Sequence, residues 1–153
     1  MKLSTAYFGE LEIEEEQIIH FPRGMFAFED QQRFVLIPCE DVELPIAWLQ
    51  SLDDADLAFV VMSPFVFRPD YEFKISDEVE AELEIKSPSD VTVLVLLVIP
   101  EDVNQMTANL LAPIVINILS KRGRQVILDD KQYTTKHVLS EELSRLNKEE
   151  GVK

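Results

Sequence analysis

"VTVLVLLVIP", Val91–Pro100, is the stretch on which the fold class turns. Val91, Thr92, Val93, Val95 and Val98 are β-branched, a composition that suits a pleated, packed surface. No polar alternation interrupts the run. Such a strand is covered on both faces or curls within a barrel or sandwich, and Pro100 marks its exit because proline cannot donate to a ladder. At about half of the ~18 apolar residues that a bilayer requires, the run is not a membrane span. "RFVLIP" (33–38) and "LAFVVMSP" (57–64) repeat the pattern, proline included.

Around these runs the chain alternates with period two. In "LEIE" (11–14) the apolar Leu11 and Ile13 oppose an acidic face of Glu10, Glu12 and Glu14. "EVEAELEI" (78–85) puts Glu78, Glu80, Glu82 and Glu84 on one face and Val79, Ala81, Leu83 and Ile85 on the other. The alternation predicts a strand there despite the poor β propensity of glutamate. "IVINIL" and "QVILDD", separated by "SKRGR", predict a hairpin with Gly123 supplying a positive φ in its turn.

Helix is sparse. "SPSD" (87–90) reads as a turn, and "PEDVNQMTANLL" (100–111) as one or two helical turns opening at Pro100. The clearest helix is C-terminal, with Ser140 as N-cap, Glu141 and Glu142 in the first turn, and Leu139, Leu143 and Leu146 at helical spacing. A frayed tail is expected over about 147–153. The expected fold is mostly β: one domain over 1–153, an antiparallel β-barrel-like structure with a short C-terminal helix.

Charge narrows the function. With 29 Asp+Glu against 14 Lys+Arg the net charge is −15, which repels polyphosphate and attracts basic partners. Direct nucleic-acid binding, which depends on Lys and Arg neutralising phosphates, is not expected. The acidic N-terminal stretch lacks the apolar core of a secretory signal, and Cys39 is the single cysteine, so a cytoplasmic protein is expected.

The usual catalytic constellations are missing from the sequence. His20 and His137 stand far apart without metal-ligand spacing, although Glu141 follows His137 by four, and the four glycines spell no nucleotide-binding loop. Neither metal nor cofactor is expected. Two other readings compete with a protein-binding one: a carboxylate-based hydrolase using acids near 69–84, and an acidic module with one unknown basic partner.

Two aromatic stretches bear on binding. "HFPRGMFAFED" (20–30) either plugs a barrel end with its aromatics or offers Arg23, Phe26 and Phe28 to a partner. In "LPIAWLQSLDD" (44–54), Trp48 is core or contact, and Gln50 and Ser51 have the chemistry to hydrogen-bond a partner's backbone. Asn109 and Asn117 flank the apolar, Pro113-bearing "TANLLAPIVIN". A buried amide without partners costs about 1–3 kcal/mol, so both are expected to tie the 110–113 crossover to neighbouring backbone.

Six segments, "FPRGMFAFED", "IAWLQS", "AFVVMSP", "PDY" (69–71), "TANLLAPIVIN" and "RQVIL", stand in the order and spacing of the flagellar assembly factor FliW family, which the chain resembles from about Tyr7 to Val138. Met25 and Ala27 replace a Leu and a Gly of the family's turn, and Ile46 replaces a Phe. The resemblance implies a non-enzymatic, β-barrel-like regulator that binds newly made flagellin. It also implies binding to the translational repressor CsrA, antagonised allosterically and away from its RNA site. On that basis Glu10, Glu12, Glu14, Glu78, Glu80, Glu82 and Glu84 are candidates for a basic partner. Arg23, Phe26, Phe28, Trp48, Gln50 and Tyr71 are candidates for apolar docking.

Overall fold

The computed structural model describes residues 2–39 and 45–151. β1 (Lys2–Thr5) and β2 (Gly9–Glu12) form an antiparallel ribbon of their own. β3 (Ile18–His20), β4 (Arg33–Pro38), β5 (Ile46–Ser51), β6 (Ala58–Met62) and β7 (Val91–Val98) follow as an antiparallel meander. After the two-residue strand β8 (Thr107–Ala108), the hairpin β9 (Ile114–Asn117) and β10 (Arg122–Gln125) closes the sheet. β9 pairs antiparallel with β7, and β10 meets β3 in parallel at Arg122 and His20, so seven strands form a closed barrel. β11 (His137–Val138) extends the sheet beyond β8, and α2 (Leu139–Gly151) ends the described chain.

The interior follows from the runs that predicted strands. Ile19, Phe34, Leu49, Val61, Leu94, Ile114 and Ile116 reach inward from six of the seven barrel strands, and Phe21 and Met25 seal the same cluster. A second cluster lies under the loops and α2, where Met62, Val95 and Leu97 pack with Phe67, Tyr71, Tyr133 and Leu139. The ribbon covers a third face with Leu3 and Ile13 against Ile18 and Val35.

Four expectations need correction. Residues 77–83 are not a strand but a helix, α1 (Asp77–Leu83), capped by Ser76, whose Oγ accepts from Val79 N at 3.3 Å. Helical spacing puts Val79 and Leu83 on the buried side, against Val115. The second strand of the hairpin is β10 at Arg122–Gln125 and not the expected 125–130, so Gly123 is not in the hairpin turn. It lies within β10, where a Cβ would come 2.7 Å from the Phe21 ring, and Lys121 takes the positive φ of 59°. Of the helical turns expected over 100–111, only a 3-10 turn at Val103–Gln105 forms, before β8. Ser140 is no N-cap, because the helix already begins at Leu139; its hydroxyl donates to Asn104 O at 3.2 Å. The expected tail falls partly outside the described residues.

Candidate partner-binding surfaces

The acidic ribbon carries the first candidate surface. Glu10 and Glu12 lie exposed on β2, which pairs with β1 alone among the described residues, and Glu14 opens a 3-10 turn by donating its N–H to Gln17 Oε1 at 2.7 Å. Lys2 offsets one of these charges, at 3.5 Å from Glu10. The turn between β1 and β2 adds something the sequence reading missed. Thr5 Oγ1 accepts from Phe8 N and donates to Gly9 O, each at 2.9 Å, and the turn so fixed lays Tyr7 and Phe8 on Trp48. Tyr7 stacks on the indole with ring centres 6.2 Å apart, while Phe8 meets it edge-on at 5.5 Å. Trp48 is half-buried and Tyr7 is 63% exposed, so an aromatic step adjoins the acidic strand. Two neighbouring aromatics in "TAYFGE" were the available signal.

The 21–30 loop divides its apolar residues between the two readings. Phe21 and Met25 are sealed in the core, whereas Phe26 and Phe28 are exposed. Gly24 has φ +65°, and a Cβ there would lie 2.6 Å from the Glu29 backbone, so the turn requires glycine. Ala27 sits at φ 71°, a left-handed conformation that costs an L-residue about 1–2 kcal/mol. Phe26 N donates to Gln125 Oε1 at 3.0 Å, which ties the loop to β10.

Folding of 77–83 as a helix redistributes the four glutamates. Glu82 accepts from Arg23 Nε at 3.2 Å and from Arg124 Nη1 at 2.7 Å. Glu78 lies 3.2 Å from Arg23 Nη2, and Glu84 lies 3.5 Å from Arg122 Nε. Glu80 stands apart, exposed on the side toward Lys86 and Ser87. The shared acidic face expected here is therefore replaced by an ion-pair network between α1, the 21–30 loop and β10. Glu78 and Glu82 face arginines, not each other as a hydrolytic pair requires.

Four polar candidates are internal. Gln50 and Ser51 are fully buried: Gln50 Nε2 donates to the Ser51 and Leu57 carbonyls at 3.0 and 3.1 Å, and Ser51 Oγ donates to Gln31 Oε1 at 2.6 Å. Neither offers a hydrogen bond to a partner's backbone, because both are sealed from solvent. Gln50 Nε2 and the Ser51 hydroxyl close the 51–57 turn, and Gln50 Oε1 is buried without a partner among the described residues. Tyr71 is buried too, and its hydroxyl donates to Leu110 O at 2.6 Å. Burial, and secondly the neighbouring Tyr133, push its phenol well above the usual range. Asn117 Nδ2 donates to the Leu83 and Glu84 carbonyls at 2.8 and 3.1 Å, and its Oδ1 accepts from Leu119 N and Ser120 N. It thus joins the end of α1, where Glu84 has φ 57°, to the β9–β10 turn, and not, as expected, the 110–113 crossover to neighbouring backbone. Asn109 Oδ1 accepts from Ala112 N at 3.0 Å and so braces the crossover before Pro113.

One ionic cluster was not foreseen. Arg68, Glu142 and His137 meet where α2 docks, with the Arg68 guanidinium 5.5 Å from the Tyr133 ring centre. His137 Nε2 accepts from Thr134 N at 2.8 Å, and Nδ1 lies 3.7 Å from Glu142. Desolvation lowers the His137 pKa; Glu142 opposes the shift, and Arg68 and Arg145 add to it. Among the described residues no three His, Cys, Asp or Glu side chains converge as metal ligands, and no helix is long and apolar enough to cross a membrane.

Comparison with known proteins shows where this architecture recurs. A model of the FliW protein family matches residues 2–139. The flagellar assembly factor FliW of Alkaliphilus metalliredigens is 44% identical over 149 residues, covering 97% of this chain and 92% of that protein. The protein of the same description from Caldicellulosiruptor bescii is 48% identical over 142 residues, covering 93% and 92%. A crystal structure of the flagellar assembly factor FliW superposes with a TM-score of 0.85 at 39% identity, covering 91% of this chain and 96% of that one.

Proposed function

The chain belongs to the FliW family of flagellar assembly factors, and from that premise we propose that it is a cytoplasmic, non-enzymatic regulator with two protein ligands. It binds flagellin monomer. When flagellin-free, it binds and antagonises the translational regulator CsrA, which relieves repression of flagellin translation. Secretion of flagellin returns the factor to CsrA, and accumulation of flagellin withdraws it.

The observation that carries this reading is the separation of two kinds of exposed surface in a chain of net charge −15. The β1–β2 ribbon presents Glu10, Glu12 and Glu14 beside the Tyr7–Trp48 step, which suits a partner that holds RNA phosphates on basic side chains. Phe26 and Phe28 present apolar surface held in place by Arg23, which suits the apolar faces of flagellin's terminal helices. Titration calorimetry with flagellin monomer and with CsrA, each at low and high salt, tests the assignment. Tight binding to both is expected, with only the CsrA affinity falling steeply as salt rises. A folded protein that binds neither would overturn the proposal.

A further inference from the structure

The barrel wall has a gap. β6 pairs with β7 only from Met62 opposite Val95 onward, and the chain then leaves at Ser63 into the 3-10 turn Pro64–Val66. The first part of β7, Val91–Leu94, pairs with β9 on one side. Among the described residues no strand lies on its other side. Residues 71–76 run nearby with alternating burial: Tyr71, Phe73 and Ile75 turn inward, and Glu72, Lys74 and Ser76 turn outward. The backbone of Glu72, Phe73, Lys74 and Ile75 makes no hydrogen bond to other described residues. Between these two unpaired stretches lies a groove of about 650 Å³, whose apolar lining includes Phe73, Ile75, Ile85, Val91 and Val93.

A groove bounded by unpaired backbone is a template for a strand. Its rim bears Lys74 and Lys86, neither of which forms an ion pair among the described residues of this acidic chain. Glu72, Asp77 and Glu80 line it as well. The groove also continues a surface already described, since Asp77 and Glu80 of α1 line it while Ser76 and Val79 line the hollow beside Arg23 and Phe26.

We infer that this groove binds an extended protein segment by strand addition. The segment is apolar at alternate positions, to fill the groove, and carries a carboxylate within reach of Lys74 or Lys86. The source is flagellin: the groove adjoins the exposed Phe26–Phe28 loop on which the flagellin reading already rests, whereas a strongly basic partner is drawn to the ribbon. This assignment rests on flagellin being a ligand. Backbone pairing supplies affinity, and the alternating pockets supply selectivity.

The test uses full-length flagellin, fluorescent decapeptides tiling its sequence, and CsrA, against the wild-type protein and Lys74→Glu/Lys86→Glu. One decapeptide is expected to bind the wild type and to bind the double variant at least about tenfold more weakly, in line with the penalty for unlike charges turned alike. N-methylation of the alternate amides that face the pairing edge is expected to abolish binding and methylation of the other alternate set to weaken it far less, the two-residue period that backbone pairing imposes. CsrA affinity is expected not to fall, since the two changes only add negative charge. Full-length flagellin binding both proteins equally, with no decapeptide bound, overturns the groove while the flagellin reading stands. Failure of full-length flagellin to bind the wild type overturns that reading and the occupant with it.

Discussion

Arg68 donates from Nη1 to Glu142 Oε1 at 2.6 Å, joining residues 74 positions apart with only 9% and 10% of their side chains exposed. The pair pins α2 to the loops over β6 and β7. Removing one partner of a buried ion pair leaves the other charge desolvated, so Glu142→Ala is expected to cost about 3–5 kcal/mol in urea unfolding. Arg68→Met/Glu142→Leu, which removes both charges and keeps apolar volume, is expected to recover most of that loss. A double variant as unstable as the single one would mean that packing, not charge, dominates at this contact.

His137 makes stability depend on pH. Its folded pKa is lowered from the ordinary 6.5, chiefly by desolvation, so below about 6.5 the unfolded chain binds a proton that the folded chain does not. The contribution is therefore complete above that pH and is lost as pH falls from about 6.5 toward the lowered folded value. Protonation also removes the lone pair with which Nε2 accepts from Thr134 N. Urea midpoints at pH 8, 7, 6 and 5.5 should fall with acidification, and His137→Gln should flatten the decline.

Asn117 is 1% exposed and engages four backbone groups. Asn117→Leu keeps the volume but strands the Glu84 carbonyl and the Leu119 and Ser120 amides, and leaves the Leu83 carbonyl with the Ser120 hydroxyl alone. A loss of about 2–4 kcal/mol is expected from the buried members of this set. Unchanged stability together with lost partner binding would contradict the bracing role.

Ala27 and Gly24 share left-handed φ values, 71° and 65°, yet only one of them is glycine. Ala27→Gly relieves backbone strain and is expected to stabilise the protein by about 0.5–1 kcal/mol once the added freedom of the unfolded chain is subtracted. Gly24→Ala should destabilise it, because the new Cβ would stand 2.6 Å from the Glu29 and Phe28 backbone. Thermal unfolding of the two variants gives both signs directly.

The barrel was legible because its strands are buried on both faces: "RFVLIP" forms β4 over its full length, and Val91–Val98 forms β7. α1 was not, since "EVEAELEI" satisfies two periods at once. Val79 and Leu83 are as well placed for a helix as for a strand, and Ser76 followed by Asp77 and Glu78 is a helix start that the alternation obscured. The candidate surfaces were half legible for a related reason. Exposure of Phe26 and Phe28 and burial of Phe21 and Met25 within one short loop depend on distant strands. The burial of Gln50 and Tyr71 likewise depends on the carbonyls of Leu57 and Leu110, which local patterns do not reveal.

The parallel seam between β3 and β10 has a consequence for how the chain comes to be folded. Residues 18–62 fold back on near neighbours, whereas His20 must find Arg122, and joining ends so far apart carries a larger entropic cost. During synthesis the meander is complete while the edges of β3 and β7 still lie open. Both are covered only when the β9–β10 hairpin has left the ribosome and docks between them. For that interval the nascent chain is a curled sheet with two sticky margins, and its tendency to aggregate is set by how quickly one short hairpin arrives.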